Sequence, residues 1–366
     1  MYEHDERVVL TLDAGGTNFV FSAIRACREV IPPICLPAVS DNLYGCLSVL
    51  VKGFGLVKEQ LEDEPVAISF AFPGPADYEN GVIGDLPNFP AFRGGVALGP
   101  YLEEQFGIPV FINNDGNLFA YGEALAGVLP QINKQLEEAG NSRRFRNLLG
   151  ITFGTGFGAG VVIDNVLLTG DNGCGGDVWI MRNKKYPDMI AEESVSIRAV
   201  KRVYQELSSE QAEHLTPKDI FDIAEGVKQG NRDAAMAAFE EFGEMAGDAI
   251  ASALTITDGV LVIGGGLTGA SKYILPALLK EMRAPIGTFA GDEFRRMEMD
   301  VYNLEDQKEK SLFLADKNQD VLVPGSGRRV PYRKSKQVGV LLSVNGASRS
   351  IMLGAYAFAL QRIDLK

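Results

Sequence analysis

Histidine is almost missing from this chain: His4 and His214 are the only two in 366 residues. His4 sits in an acidic N-terminal stretch and His214 in a polar stretch before Thr216-Pro217. Triad hydrolysis and His-ligated metal chemistry therefore lack their usual groups, and a catalytic base falls to a carboxylate. Cysteine is scarce too. Cys27, Cys35, Cys46 and Cys174 form no C-x-x-C pair, which points to reduced thiols and a cytoplasmic protein. No apolar run approaches the roughly 18 residues of a membrane span. The start, Met1 to Arg7, is acidic and has the form of neither a signal nor a transit peptide. Positive charge is in deficit, with 35 Lys and Arg against 48 Asp and Glu and a net charge of −13. Binding to nucleic acid rests on clustered Lys and Arg, so no nucleic-acid partner is expected. No G-x-x-x-x-G-K-[ST] occurs, which excludes a P-loop.

Glycine, by contrast, is abundant, with 41 residues, and its placement is informative. An apolar strand, a glycine turn and a second apolar strand occur twice. The first copy runs Val8–Leu12, then Asp13-Ala14-Gly15-Gly16-Thr17-Asn18, then Phe19–Ile24. The second runs Leu148–Phe153, then Gly154-Thr155-Gly156-Phe157-Gly158-Ala159-Gly160, then Val161–Ile163. Glycine tolerates positive φ and lets a ligand approach bare backbone. Two such turns suit a polyphosphate. The second also satisfies a loose G-x-G-x-x-A dinucleotide pattern, but that pattern needs a helix immediately after it. Val161-Val162-Ile163 predicts a strand instead.

Elsewhere, helical periodicity covers 42–60, 101–106, 117–126, 194–207, 217–229, 233–255, a stretch from about 272, and 348–360. Buried strands are expected at 65–72, 108–112 and 258–263, and residues 290–340 read as polar and irregular. Strands alternating with helices make the chain α/β. Its length and repeated hairpin suggest two related lobes.

Three positions carry candidate chemistry. Asp13 ends a strand before the first glycine pair, where a carboxylate suits Mg²⁺ held directly or through water; taken alone, Asp-x-Gly-Gly reads first as a turn-forming Asp. Asp115 follows Asn113-Asn114 at a strand end and opens a helix. An N-cap explains one such residue. A carboxylate there can also take the proton of a hydroxyl attacking a γ-phosphate. Gly264-Gly265-Gly266 follows an apolar strand and leaves room for a flat ring or ribose, or serves as an ordinary turn.

Taken in order, these motifs resemble the ROK family of sugar kinases. Leu12 to Asn18 is similar to its first phosphate motif, and Pro73-Gly74-Pro75 with Leu86-Pro87-Asn88-Phe89 to its sugar loop. Asn114-Asp115-Gly116-Asn117 with Gly122-Glu123-Ala124 resembles its catalytic motif. Gly154 to Gly160 resembles the second phosphate motif, Val262 to Gly266 the adenosine motif, and Leu353-Gly354-Ala355 the closing helix. The resemblance implies a two-lobed ribonuclease H-like (actin-like ATPase) fold with duplicated hairpin-containing domains. The smaller lobe would hold 1–114 and 350–366, and the larger 115–349. It implies ATP-dependent phosphorylation of a hexose or N-acetylhexosamine by a homodimer, with Asp115 as general base. Asn88, Asn114, Asp177 and Glu192 would bind the sugar. Asp13, Gly15, Gly16, Thr17, Asn18, Gly154, Thr155, Gly156, Gly158 and Gly264–Gly266 would hold ATP and Mg²⁺.

One region departs from the family. Many members carry Gly-Glu-Ile-Gly-His followed by zinc-binding cysteines. Here the run is Gly176-Asp177-Val178-Trp179-Ile180, with only Cys174 upstream. No zinc site is therefore expected, and the identity of the sugar stays open. A sugar-binding sensor is the alternative. ROK-like repressors carry an N-terminal DNA-binding module, for which the first strand at about Val8 leaves no expected room.

Overall fold

The structure, a computed structural model, describes residues 2–14, 18–86 and 90–365. The chain divides into two compact units. The first comprises residues 1–128, 160–176 and 344–366, and the second comprises 129–159 and 177–343.

The first unit is built on a sheet in which Val9–Ala14, Ala67–Ala71 and Val110–Asn113 run parallel. Asn18–Arg25 returns antiparallel to Val9–Ala14, in register from Val9↔Ile24 to Ala14↔Phe19. That is the first predicted hairpin, although its turn residues Gly15, Gly16 and Thr17 lie outside the described residues, as does Asn88. Side chains alternate across a strand. Leu10, Leu12, Phe19, Phe21, Ile68 and Phe70 join a core with Leu50, Phe54 and Val57 of the helix Leu43–Lys58. The helix Ala347–Asp364 packs on Ala67–Ala71, Val9–Ala14 and Val110–Asn113, and also on the helix Asp115–Leu125. The last contact is very close: a Cβ on Gly122 would lie 1.9 Å from Ser350 O, and one on Gly354 1.8 Å from Leu118 O. This packing places residues 115–128 in the first unit, where the expected division at 114 has them in the larger lobe.

The second unit has a parallel sheet in the order Leu148–Phe153, Val260–Gly264, Gln337–Leu342, Asp300–Asn303. The long helix Arg232–Thr257 packs against Ser271–Met282, Ile197–Ser208 and Pro217–Ala224. Residues 290–340 are not irregular, as the sequence reading expects. They supply the strand Asp300–Asn303, the helix Gln307–Leu314 and most of Gln337–Leu342, a strand with neighbours on both sides. They also form part of two small hairpins, Pro285–Gly287 with Glu293–Arg295 and Gln319–Leu322 with Arg329–Tyr332. The buried run Val338-Gly339-Val340-Leu341 is short and follows a charged tract, which masks it from periodicity.

Candidate active site

In parallel α/β sheets, ligands gather outside the carboxyl ends of the strands. In the first unit the register puts Leu12 opposite Phe70, Phe70 opposite Ile112, and Ala71 opposite Asn113. Asp13 follows Leu12, so Asp13, Ala71 and Asn113 come to one row at that edge. Phe72 N extends the ladder by donating to Asn113 O at 3.0 Å.

Asn113, Asn114 and Asp115 then take three different positions. Asn113 is 2% exposed, and its Oδ1 accepts from Asn114 N at 2.8 Å and from Asn117 Nδ2 at 3.0 Å. Asn114 is the N-cap of the helix, its Oδ1 accepting from Gly116 N at 2.8 Å. Asp115, the first helical residue, is therefore relieved of the cap, and its side chain meets solvent. Its Oδ1 also accepts from Gly116 N, at 2.8 Å. Although it touches solvent, Asp115 is surrounded at longer range by protein. This desolvation pushes its pKa above the ordinary carboxylate value. Hydrogen bonds from the backbone N–H groups of Gly116 and Asp115 itself oppose the rise, and the nearby charge of Asp13 adds to it.

Behind Asp115 the helix Asp115–Leu125 is buried from Gly116 to Leu125. Glu123 is fully buried there. Ser350 Oγ donates to its Oε1 at 2.6 Å and Val128 N to its Oε2 at 2.9 Å. Periodicity gives no hint of the Ser350 bond, because it joins residues 227 apart. Asn18, the first residue of the return strand, is exposed.

The second unit collects its candidates in the same way. Thr152 pairs with Gly264, so the turns after Leu148–Phe153 and after Val260–Gly264 lie side by side at the carboxyl edge. A strand, Phe157–Ile163, follows the turn at Gly154–Gly156, which removes the dinucleotide-fold reading. Gly265 has φ +94°, and a Cβ there would lie 2.3 Å from Phe153 O, so only glycine fits. Gly154 and Gly266 face open space, and Thr155 is exposed. A Cβ on Gly158 would collide with Thr152 Oγ1 at 2.3 Å. Glu192 sits against this turn. Its Oε2 accepts from Phe157 N at 2.9 Å, and its Oε1 pairs with Arg198 Nη2 at 3.2 Å. Arg198 is a partner the sequence reading does not name. Asp177 is exposed at the start of the short turn Val178–Ile180.

Two large recesses are present among the described residues. One of about 870 Å³ is lined by Lys184, Glu241, Glu244 and Glu281 among others. One of about 680 Å³, within the first unit, is lined by Asp77, Asn80, Asn113, Asn117 and Arg362 among others. The second borders the candidate site through Asn113 and Asn117, while the first includes none of its residues. Among the described residues no group of three or more His, Cys, Asp or Glu could hold a metal ion, and no helix is long and apolar enough to cross a membrane.

Comparison with known proteins gives the family. The chain is similar to the crystal structure of a glucokinase from Parabacteroides distasonis, at 62% identity over 99% of each chain and a TM-score of 0.89. It is 25% identical to the glucokinase of Thermotoga maritima over 75% of this chain and 86% of that protein. It is 26% identical to the N-acetyl-D-glucosamine kinase of Vibrio cholerae over 70% of this chain and 83% of that protein. The ROK family model matches residues 9–311. With most of its length matched, and with the α/β fold of the ROK sugar kinases, the chain belongs to the ROK family.

Proposed function

We propose that this chain is an ATP-dependent sugar kinase that transfers the γ-phosphoryl group of ATP to a hydroxyl of a hexose or N-acetylhexosamine. The carrying observation is the register that brings Asp13 and the Asn113–Asp115 corner to one sheet edge, with Asp115 open to solvent. The glucokinase likeness at 62% identity supports the same activity.

In this reading Asp115 takes the proton of the sugar hydroxyl while that oxygen bonds to the γ-phosphorus. The bond from phosphorus to the bridging oxygen breaks, and ADP leaves with its electron pair. A raised pKa brings the base closer to working pH and makes it a better proton acceptor once ionised. Asn88, Asn114, Asp177 and Glu192 hold the remaining hydroxyls. The turns at Gly15–Asn18 and at Gly154, Thr155, Gly156 and Gly158 take the phosphates, and Gly264–Gly266 takes the adenosine. Asp13 suits Mg²⁺, because one half-buried carboxylate with phosphate and water oxygens is the donor set that ion prefers. When bound, the ion neutralises charge on the β- and γ-phosphates. A homodimer and a cytoplasmic location complete the proposal.

A coupled ADP-release assay over glucose, mannose, N-acetylglucosamine and N-acetylmannosamine tests it. At least one sugar is expected to raise ADP release well above the sugar-free rate. ATP hydrolysis that is the same with and without every sugar would refute it.

A further inference from the structure

Residues 181–197 of the second unit form a loop closed around one side chain. Asn183 is 2% exposed. Its Nδ2 donates to Ser194 Oγ at 2.8 Å and to Ile190 O at 3.2 Å. Its Oδ1 accepts from Lys185 N and Tyr186 N, both at 3.0 Å. A primary amide offers two donor hydrogens and two acceptor lone pairs, so every capacity is used. Backbone bonds close the same loop, from Asn183 N to Met189 O at 3.0 Å and from Ala191 N to Met181 O at 2.7 Å. Two lysines then fasten it to the helices behind. Lys184 Nζ reaches Glu244 and Glu281, each at 2.8 Å, and Lys185 Nζ reaches Glu241 at 2.8 Å.

Past Ile190 the same segment meets the second glycine turn at two points. Glu192 Oε2 accepts from Phe157 N at 2.9 Å, and Ile197 N donates to Gly154 O at 3.0 Å. Gly156 has no room for a side chain, since a Cβ would lie 2.5 Å from Glu192 Oε2. The turn is thus braced by residues whose own placement depends on the loop Asn183 closes.

We propose that Asn183 is a positioning residue for nucleotide binding: through Glu192 it holds the Gly154–Phe157 turn in the shape that accepts phosphates. The inference rests on the kinase reading, which gives that turn its ligand. Asn183 itself hydrogen-bonds neither the turn nor Glu192. A buried amide with all four bonds made fixes geometry because any displacement strands several polar groups at once.

Calorimetric titration with the non-hydrolysable analogue AMPPNP, without sugar, tests it on the wild type, Asn183→Asp, Glu192→Ala and the double variant. Aspartate keeps the acceptor side of Asn183 and loses the donors to Ser194 and Ile190. Asn183→Asp is expected to weaken AMPPNP binding by about three- to tenfold, the effect of one or two lost hydrogen bonds. On the Glu192→Ala background the same change should add little, because the two act in series. If Asn183→Asp does not fold, Ser194→Ala takes its place in the same cycle. Wild-type binding by a folded Asn183→Asp, or full additivity with Glu192→Ala, would overturn the inference alone. A wild type that binds no AMPPNP and shows no sugar-dependent ADP release would overturn the kinase reading, and this inference with it.

Discussion

At the scale of single residues, Asp115 as the proposed general base should set the pH behaviour of turnover. Its folded pKa is raised, chiefly by desolvation. A general base works only when ionised, so kcat/KM should fall as pH drops through a value above the ordinary carboxylate range of about 4. A pH–rate profile with its acid limb at or below that value would contradict this assignment. The same shift has a stability consequence of opposite sign to that of a salt-bridged carboxylate. With the folded pKa above the unfolded one, ionised Asp115 costs stability at every pH above the folded pKa, and the cost vanishes below the unfolded one. Asp115→Asn should therefore melt no lower than the wild type at pH 7, and any gain should disappear as the pH falls below about 4. Paired melting curves at the two pH values check it. The thiols give a second residue-scale expectation. Burial pushes Cys46 up to about 11, while Cys35 and Cys174 are exposed. A disulfide exchange reagent at neutral pH should titrate Cys35 and Cys174 fast and Cys46 only on unfolding, because the thiolate is the reacting form.

At the scale of elements, the helix pair Asp115–Leu125 and Ala347–Asp364 supports the corner that carries Asp115. The two backbones touch where Gly122 faces Ser350 and Gly354 faces Leu118. Gly122→Ala or Gly354→Ala must push the helices apart, and each should cost about 2 kcal/mol or more by overpacking. Ser350→Ala leaves the buried Glu123 carboxylate without one donor and should cost about 1–3 kcal/mol. Chemical denaturation of each variant gives these values directly. Much of this was legible in the sequence. Both glycines fall in motifs quoted from the family resemblance, and the apolar run at 348–360 reads as a helix. Their contact was not legible, because nothing local links residues more than 200 positions apart. Local pattern also misses Gln337–Leu342, whose buried apolar run, Val338 to Leu341, is four residues long. Its strand identity comes from neighbours on both sides, Val260–Gly264 and Asp300–Asn303, and not from its own periodicity.

At the scale of the whole molecule, the same device appears in both units. Parallel strands end in row, and the residues after them carry the candidate chemistry. The sequence shows this as strand-then-glycine or strand-then-asparagine repeats, which is why the family could be read from order and type alone. Roles within the site were less legible. Asn113, Asn114 and Asp115 look alike in sequence, yet burial, capping and exposure divide them. Glu192 reads as a sugar ligand, yet one of its oxygens meets Phe157 N and the other pairs with Arg198. The brace through Asn183 has no motif at all. The activity itself belongs to this scale, since it needs base, sugar and nucleotide together.

The most direct measurement is the turnover of Asp115→Asn against the wild type with the preferred sugar, alongside AMPPNP binding by both. The account predicts a fall in kcat of about 10²–10⁴-fold with nucleotide binding kept. A folded Asp115→Asn enzyme that phosphorylates the sugar at the wild-type rate would contradict it.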